Sequence, residues 1–167
     1  MATAIFIEPQ NVYDYTILSG DVDVDKLAPI ILSTQLETIE EMLGTELYDK
    51  IYTDFTTSNL TGLYLELFND YIVYILRNQS AANYISLSPY SIGNGGAFKR
   101  TYNGVETIDT KEVERVSQIY SSNAQMYINR FIKWIGLNPL TEYKTYQDEV
   151  NATKNINLNN GWYFGNK

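Results

Sequence analysis

The sequence contains no cysteine and no histidine among its 167 residues. The lack of cysteine excludes disulfides, thiolate zinc sites and cysteine nucleophiles. The lack of histidine excludes a Ser-His-Asp triad, histidine metal clusters and an imidazole proton shuttle. Positive charge is also scarce, since 12 Lys and Arg stand against 20 Asp and Glu and give a formal net charge of -8. That charge has the wrong sign for a protein that neutralises nucleic-acid phosphates. Because cysteine and histidine are absent, carboxylate chemistry is the one catalytic option left.

A long apolar run is missing as well. The longest one, Leu63 to Leu76, is interrupted by Glu66, Asn69 and Asp70 and is shorter than the roughly 20 residues that a membrane span needs. The N-terminal sequence MATAIFIEPQ has no basic region of the kind that begins a signal peptide. We therefore expect a protein that is made and assembled in a cytoplasm and that does not contact a membrane.

The residues that are present suffice for a core, since hydrophobic types make up 44% and include 15 Tyr, 6 Phe and 2 Trp. The pattern predicts a mainly α fold, a bundle of about five helices with a small β-hairpin insertion. One domain is expected over residues 1–150, close to the usual domain size, followed by an extended C-terminal tail at 151–167.

The first half of the chain shows helical spacing after a short predicted strand at residues 4–8. Apolar residues over 25–43 recur on one helical face, with Asp25 as the expected N-cap and Pro29 in the first turn. Gly44 is the expected stop, and Thr45 is expected to cap a second, short helix that ends in the polar run at 56–59.

The middle of the chain holds the most apolar predicted helix, at about 61–87. Because it is hydrophobic on nearly all sides, it is expected to be the central helix. The sequence SIGNGG at 91–96 is expected to be a flexible loop. The dipeptide Asn103-Gly104 favours a type I′ turn and predicts a two-stranded hairpin at about 97–108.

The last predicted helices follow this hairpin. Asp109 and Glu112 form a capping-box pattern before an apolar stripe that continues to Gly136. Asn138, which a proline follows, is the expected N-cap of a final short helix that reaches about Val150.

Two acidic patterns in the sequence resemble parts of known types of metal site. The Asp-x-Asp-x-Asp spacing at 21–25 resembles the start of an EF-hand loop, but Lys26 follows where that loop needs glycine. Glu66 and Asp70 lie one helical turn apart, yet di-metal bundles of that type also need Glu-x-x-His. We therefore expect a solvated loop at 21–25, and a polar stripe or an intersubunit contact at Glu66 and Asp70. Neither a metal nor a cofactor is expected.

The segment QLETIEEMLGTELYDKI, at 35–51, resembles head–tail connector (neck adaptor ring) proteins of tailed bacteriophages, those of crAss-like phages above all. In that family a helix that ends in Leu-Gly precedes a short helix that begins near Leu-Tyr. An apolar helix, a Gly/Asn-rich loop before a β excursion and a long C-terminal helix follow. Residues 25–150 have the same order, although the family's loop is more basic than Gly93-Asn94-Gly95-Gly96.

The resemblance implies a structural virion protein without an active site. Such proteins form a ring, commonly of twelve subunits, that lies beneath the portal in the neck, contacts adjacent neck or tail proteins and continues the DNA channel. DNA is then expected to pass without specific binding, because the net charge repels phosphate.

Two sets of residues are candidates for contacts within such a ring. The first is the predicted hairpin, whose unsatisfied edges would meet a neighbouring subunit: Phe98, Arg100, Tyr102, Asn103, Gly104 and Val105. The second is an acidic surface expected at the channel lumen or rim, with a merely solvated helix face as the alternative: Glu37, Glu40, Glu41, Glu46 and Asp49.

The third candidate is the aromatic end of the Asn-rich tail, Trp162, Tyr163 and Phe164. These side chains either fold back onto the body or anchor in a pocket of another chain. Because connector proteins of this kind often reach the portal with a C-terminal extension, the resemblance assigns them to portal docking.

Two other classes of function stay open from the sequence. An acidic inhibitor or adaptor of a nucleic-acid-processing partner would need its negative charge arrayed along one face. A carboxylate-dependent hydrolase would need two acids that face each other in a cleft.

Overall fold

The computed structural model describes residues 4–18, 24–88, 90–93, 96–99 and 110–144. Over these ranges the chain is mainly helical, which confirms the mainly α part of the predicted fold class. The α-helices are α1 (Pro9–Asp14), α2 (Val24–Thr34), α3 (Glu41–Leu43), α4 (Thr45–Thr56), α5 (Gly62–Leu67), α6 (Val73–Leu87) and α7 (Thr110–Leu137). Two π-helical segments, π1 (Gln35–Glu40) and π2 (Phe68–Ile72), join α2 to α3 and α5 to α6. None of the described helices is long and apolar enough to cross a membrane.

The predicted first long helix is present as the continuous run of α2, π1 and α3. It begins at Val24, so Asp25 lies inside the first turn and not at the N-cap, and Pro29 lies beyond the first turn. The helix ends where predicted, because Gly44 has a φ of 74° that favours glycine. Gly44 is also the N-cap residue of α4, the position that the sequence analysis gave to Thr45.

A spacing of four residues explains π1. Leu27, Ile31, Gln35, Ile39 and Leu43 are all fully buried. In an α-helix each step of four residues turns the side chain about 40° further from its starting face. A π-turn contains more residues, so it rotates the later positions back towards the core. Gln35 therefore occupies the buried position, and Leu36, which was expected on the apolar face, is 43% exposed.

The predicted strand at residues 4–8 is wrong. Phe6 and Ile7 are neighbours in sequence and both are buried, which a strand with one solvent-facing side would not allow. The backbone here bonds to side chains, since the Ala4 N–H donates to the Tyr52 hydroxyl at 2.9 Å and the Phe6 N–H donates to Gln35 Oε1 at 2.7 Å. Side chains of helices therefore hold this segment.

The helix predicted at 61–87 is confirmed as α5, π2 and α6. It is central, because α6 packs against α1, α2 and α7. The spacing of four recurs across π2, where Phe68, Ile72 and Leu76 are buried. The buried face of α7 covers one side of α6 with Ala124, Phe131, Trp134 and Ile135.

The strands that the structure describes lie earlier than the predicted hairpin. β1 (Tyr90–Gly93) and β2 (Gly96–Lys99) pair antiparallel, with Gly93 opposite Gly96. This corrects the assignment of 91–96 to a flexible loop, because residues 91–93 and 96 lie in strands. The two residues between the strands are also Asn-Gly, so the sequence contains this turn signal twice. The hairpin predicted at about 97–108 stays a prediction. Residues 100–109, with the proposed turn, lie outside the described ranges.

The final predicted helix is wrong over the residues that can be checked. α7 runs through Gly136 to Leu137, and Asn138 then closes it by donating from its backbone N–H (2.9 Å) and its side-chain amide (3.1 Å) to the Trp134 carbonyl. Asn138 is thus a C-terminal cap. Residues 138–144 form turns and irregular structure, and 145–150 lie outside the described part.

One buried hydroxyl in α6 offers a test of this packing. Ser80 is fully buried, and its Oγ has no hydrogen-bond partner among the described residues. An unpaired buried polar group costs about 1–3 kcal/mol. We expect Ser80→Ala to raise the free energy of unfolding by about 1 kcal/mol in urea titrations followed by circular dichroism.

The matched control is Ser122→Ala on the exposed face of α7. It measures the gain in helix propensity alone, about 0.5 kcal/mol. Equal gains in the two variants would mean that the Ser80 hydroxyl costs nothing.

Candidate functional site

The three predicted sets of functional residues differ in what the structure says of them. Phe98 lies in β2, where its backbone is opposite Ser91. The remaining hairpin candidates, Arg100, Tyr102, Asn103, Gly104 and Val105, lie outside the described residues, as do Trp162, Tyr163 and Phe164. The acidic set is described completely, and its geometry can be examined.

The structure divides the acidic set instead of forming one face. Glu37 and Glu41 border two clefts beside α6. Glu37 shares a cleft of about 300 Å³ with Asn83, and its Oε1 accepts a hydrogen bond from Ser33 Oγ at 2.8 Å. Glu41 shares a cleft of about 470 Å³ with Gln125 of α7. These two carboxylates therefore lie along the helix packing grooves.

Glu40 and Asp49 lie near the phenol of Tyr48. Burial raises the pKa of Tyr48, the hydrogen bond from Gln35 lowers it, and the negative charges of Glu40 and Asp49 raise it further. The net shift is upward, so the phenol stays protonated beyond its ordinary range. Tyr48 is 6% exposed and belongs to the core, whereas Glu40 is half-buried and Asp49 is exposed.

Glu46 is not a free acid, because it forms an ion pair with Lys144. A second contact fixes the same segment, since the Tyr64 hydroxyl donates to Glu142 Oε2 at 2.9 Å. Between them, Tyr143 meets the ring of Phe131 edge-on at 5.5 Å. The residues after α7 are thus held against α4, α5 and α7 by one side-chain contact each.

Gln35 is a polar residue that sequence reasoning missed. Its Nε2 donates to the Tyr48 hydroxyl at 2.9 Å and to the Ala4 carbonyl at 3.2 Å, and its Oε1 accepts from the Phe6 N–H. The amide is therefore well satisfied in a fully buried position. Gln35 lies four residues after Ile31 and four before Ile39, and this spacing could have predicted that it is buried.

A row of aromatic and guanidinium groups on α1, α6 and α7 was also missed. The Arg77 guanidinium lies 3.8 Å from the centre of the Tyr15 ring and 5.2 Å from that of Tyr74. Tyr74 stacks on Tyr127 at 4.8 Å with the rings 9° from parallel, and Arg130 lies 5.2 Å from the Tyr127 ring. Cation–π contacts of this kind stabilise the packing of the three helices at their surface.

The outer face of α7 combines apolar and cationic side chains. Ile119 is 53% exposed and Met126 is 42% exposed. Four cations of α7, Lys111, Arg115, Arg130 and Lys133, are exposed as well. None of the four forms an ion pair with a described carboxylate. The exposed carboxylates of Glu112 and Glu114 lie near the N-terminal end of the same helix.

The acids that were weighed as metal ligands do not come together. Glu66 accepts a hydrogen bond from Trp134 Nε1 at 2.7 Å and so fastens α5 to α7. The described part of the chain contains no group of three or more acids that could hold a metal ion. Residues 21–23, with the calcium-like spacing, lie outside it.

The described elements define a mainly helical protein. The chain belongs to the family of unknown function DUF6712, whose sequence model matches residues 39–156. That match runs from π1 through α7 and includes the central helix. No curated protein and no solved structure matches the chain.

The contact between Tyr64 and Glu142 leads to a prediction. Burial raises the pKa of the Glu142 carboxyl, but the hydrogen bonds from Tyr64, its own backbone N–H and Thr141, together with the Lys50 charge, leave it below its ordinary value. Tyr64→Phe should therefore raise the pKa of Glu142 in a ¹³C NMR titration. Tyr84→Phe, a substitution on α6, should leave it unchanged.

The sign of the stability effect follows from the same shift. A carboxyl whose folded pKa is lowered contributes stability above its unfolded pKa and loses that stability as pH falls through the folded value. The advantage of the wild type over Tyr64→Phe should thus be present at neutral pH and vanish in acid. An advantage that persists unchanged in acid would contradict the role of Glu142.

Proposed function

We propose that this protein is a structural component of the virion neck in a tailed bacteriophage and has no enzymatic activity. Copies of the chain form a ring, commonly of twelve subunits, that joins the portal to the tail and continues the DNA channel. The ring assembles in the host cytoplasm and contacts the portal protein and adjacent neck or tail proteins.

The observation that carries this proposal is the order of elements. A helix that ends at Leu43-Gly44 precedes a short helix with Leu47-Tyr48, as in the connector family that segment 35–51 resembles. The apolar helix over 62–87, a β excursion with its Gly/Asn-rich connection, and the long α7 follow in the same order. This correspondence in the order of elements and in their packing motifs supports the proposal of a connector protein.

The small sheet supplies the proposed lateral contact. β2 pairs with β1 on one side, and its other edge pairs with no strand in the described part of the chain. An open edge favours pairing with a second chain. The hairpin insertion, with Phe98 and the candidates up to Val105, is proposed to extend a strand or pack on a helix of the neighbouring subunit.

The acidic residues at the lumen or rim are proposed to keep the passing duplex from binding. The exposed carboxylates of Glu37, Glu41 and Asp49 fit that role, because like charges repel phosphate. Their division among different sides of the molecule does not favour the competing proposal, an inhibitor that mimics a continuous row of phosphates.

The ring proposal predicts a defined mass. The full chain, alone or mixed with the portal protein of the same phage, should elute as an oligomer in size-exclusion chromatography with light scattering, and electron microscopy should show rings. Deletion of residues 98–107 should preserve the helical circular dichroism spectrum and abolish assembly, because the lateral contact is removed.

A full chain that stays at its 19.1 kDa single-chain mass in both conditions would contradict the ring. A deletion variant that assembles normally would leave the ring intact and remove the role of the hairpin.

The aromatic tail gives a second prediction. Trp162, Tyr163 and Phe164 can each bury roughly 150–250 Å², which is ample for an anchor in a portal pocket. Removal of residues 155–167 should leave a folded subunit that no longer binds the portal in a pull-down assay. Unfolding of the truncated subunit would assign the aromatics to its own core, and unchanged binding would deny them the docking role.

A further inference from the structure

The exposed face of α7 has the spacing of a helix–helix seam. Its residues alternate steps of four and three, the repeat that keeps one line of side chains facing a partner helix. We call this line the α7 stripe: Arg115, Ile119, Ser122, Met126, Asn129 and Lys133. Its two apolar members lie in the middle, and a cation lies at each end.

Nothing in the described chain covers the α7 stripe. The opposite face of α7, with Ala124 and Phe131, is fully buried against the core. Ile119 and Met126 stay 53% and 42% exposed, and Lys133 makes no ion pair with a described carboxylate. Arg130, one turn beyond Met126, adds a second exposed cation, whose guanidinium lies 5.2 Å from the centre of the Tyr127 ring.

A complementary patch occurs on a different helix of the same chain. We call it the π1 patch: Leu36, Glu37 and Glu40. Leu36 is 43% exposed, Glu37 is exposed and Glu40 is half-buried. The patch thus offers one apolar side chain beside two carboxylates. Like the α7 stripe it combines apolar and charged side chains, but its charge has the opposite sign.

The two surfaces belong to different helical segments. Leu36 of the patch and Ile119 and Met126 of the stripe are all exposed, so the patch and the stripe do not cover each other within one chain. They can meet between chains, and a contact between two different faces is the heterologous type that closes into a ring.

We propose that the α7 stripe binds the π1 patch of a second copy of this chain, an inference that rests on the proposed ring. Leu36 of one copy packs against Met126 of the next, and the carboxylates of Glu37 and Glu40 face the cations of Arg130 and Lys133. The lumen or rim role then remains with Glu41, Glu46 and Asp49.

Charge reversal tests the pairing. The stripe variant Arg130→Glu/Lys133→Glu and the patch variant Glu37→Lys/Glu40→Lys should each lose the oligomer peak, since like charges then meet. An equimolar mixture should regain it, because the reversed stripe fits the reversed patch and both native surfaces also fit each other. A chain with all four reversals should assemble by itself.

The absence of cysteine makes a conservative second test possible. A chain with Leu36→Cys and Met126→Cys, treated with a short bis-maleimide, should form a ladder of linked multimers. Each single variant should stay uncoupled, because a heterologous contact does not bring the same position of two copies together. The matched control replaces Leu36→Cys by Leu65→Cys, which is similarly exposed at 41% on α5.

The outcomes separate this inference from the ring itself. Charge variants that assemble as the wild type does, or a ladder that is equal in the Leu65 control, would overturn the stripe–patch contact and leave the ring standing. Reversed variants that do not recover on mixing would also overturn the pairing. A wild-type chain that never assembles, alone or with the portal, would overturn both.

Discussion

The central helix imposes the constraint on which the rest of the structure depends. Together with π2, α6 buries apolar residues on several sides, among them Ile72, Ile75, Leu76 and Ile85. A helix of this kind is not stable with one covered face, because each exposed side would leave apolar surface in water. Helices α1, α2 and α7 supply the cover, and their own outer faces become the surface of the molecule. The positions of the candidate contact surfaces on π1 and α7 are therefore a consequence of how α6 is enclosed.

The same demand for burial explains the two π-helical segments. Apolar positions spaced by four would drift away from the core in a regular α-helix, and the wider turns compensate for that drift. At π1 the register brings a glutamine into the core, where its amide finds three partners. Those hydrogen bonds hold the N-terminal segment beneath the helices, so that Phe6 can pack against the rings of Tyr48, Phe55 and Phe68. An irregularity in one helix thus determines where a distant part of the chain lies.

The sequence predicted the features that local physics decides and missed those that depend on distant residues. The helix end at Gly44 and the helix over 62–87 were predictable, because a positive φ favours glycine and a long apolar run leaves few alternatives. The segment at 4–8 was mistaken for a strand, since its hydrogen-bond partners are Gln35 and Tyr52, which only the folded chain brings near. The strand pair at 90–99 was missed because the sequence contains two Asn-Gly dipeptides, and local signals do not rank them. Of the acidic set, Glu40 is half-buried and the others are exposed, a difference that follows from helix register and not from sequence proximity.

The proposed contact between copies depends on how charge is distributed over this fold. A chain of net charge -8 repels its own copies at long range, so association needs surfaces on which that repulsion is reversed locally. In the proposed contact, four exposed cations of α7 form one such surface and the carboxylates of π1 form its complement. Salt weakens both the general repulsion and the local attraction, since each acts between exposed charges and is screened over about 10 Å at 0.1 M ionic strength. The apolar contacts of Leu36, Ile119 and Met126 are not screened in this way. They would therefore maintain the contact at high salt, whereas the charges select which two faces meet.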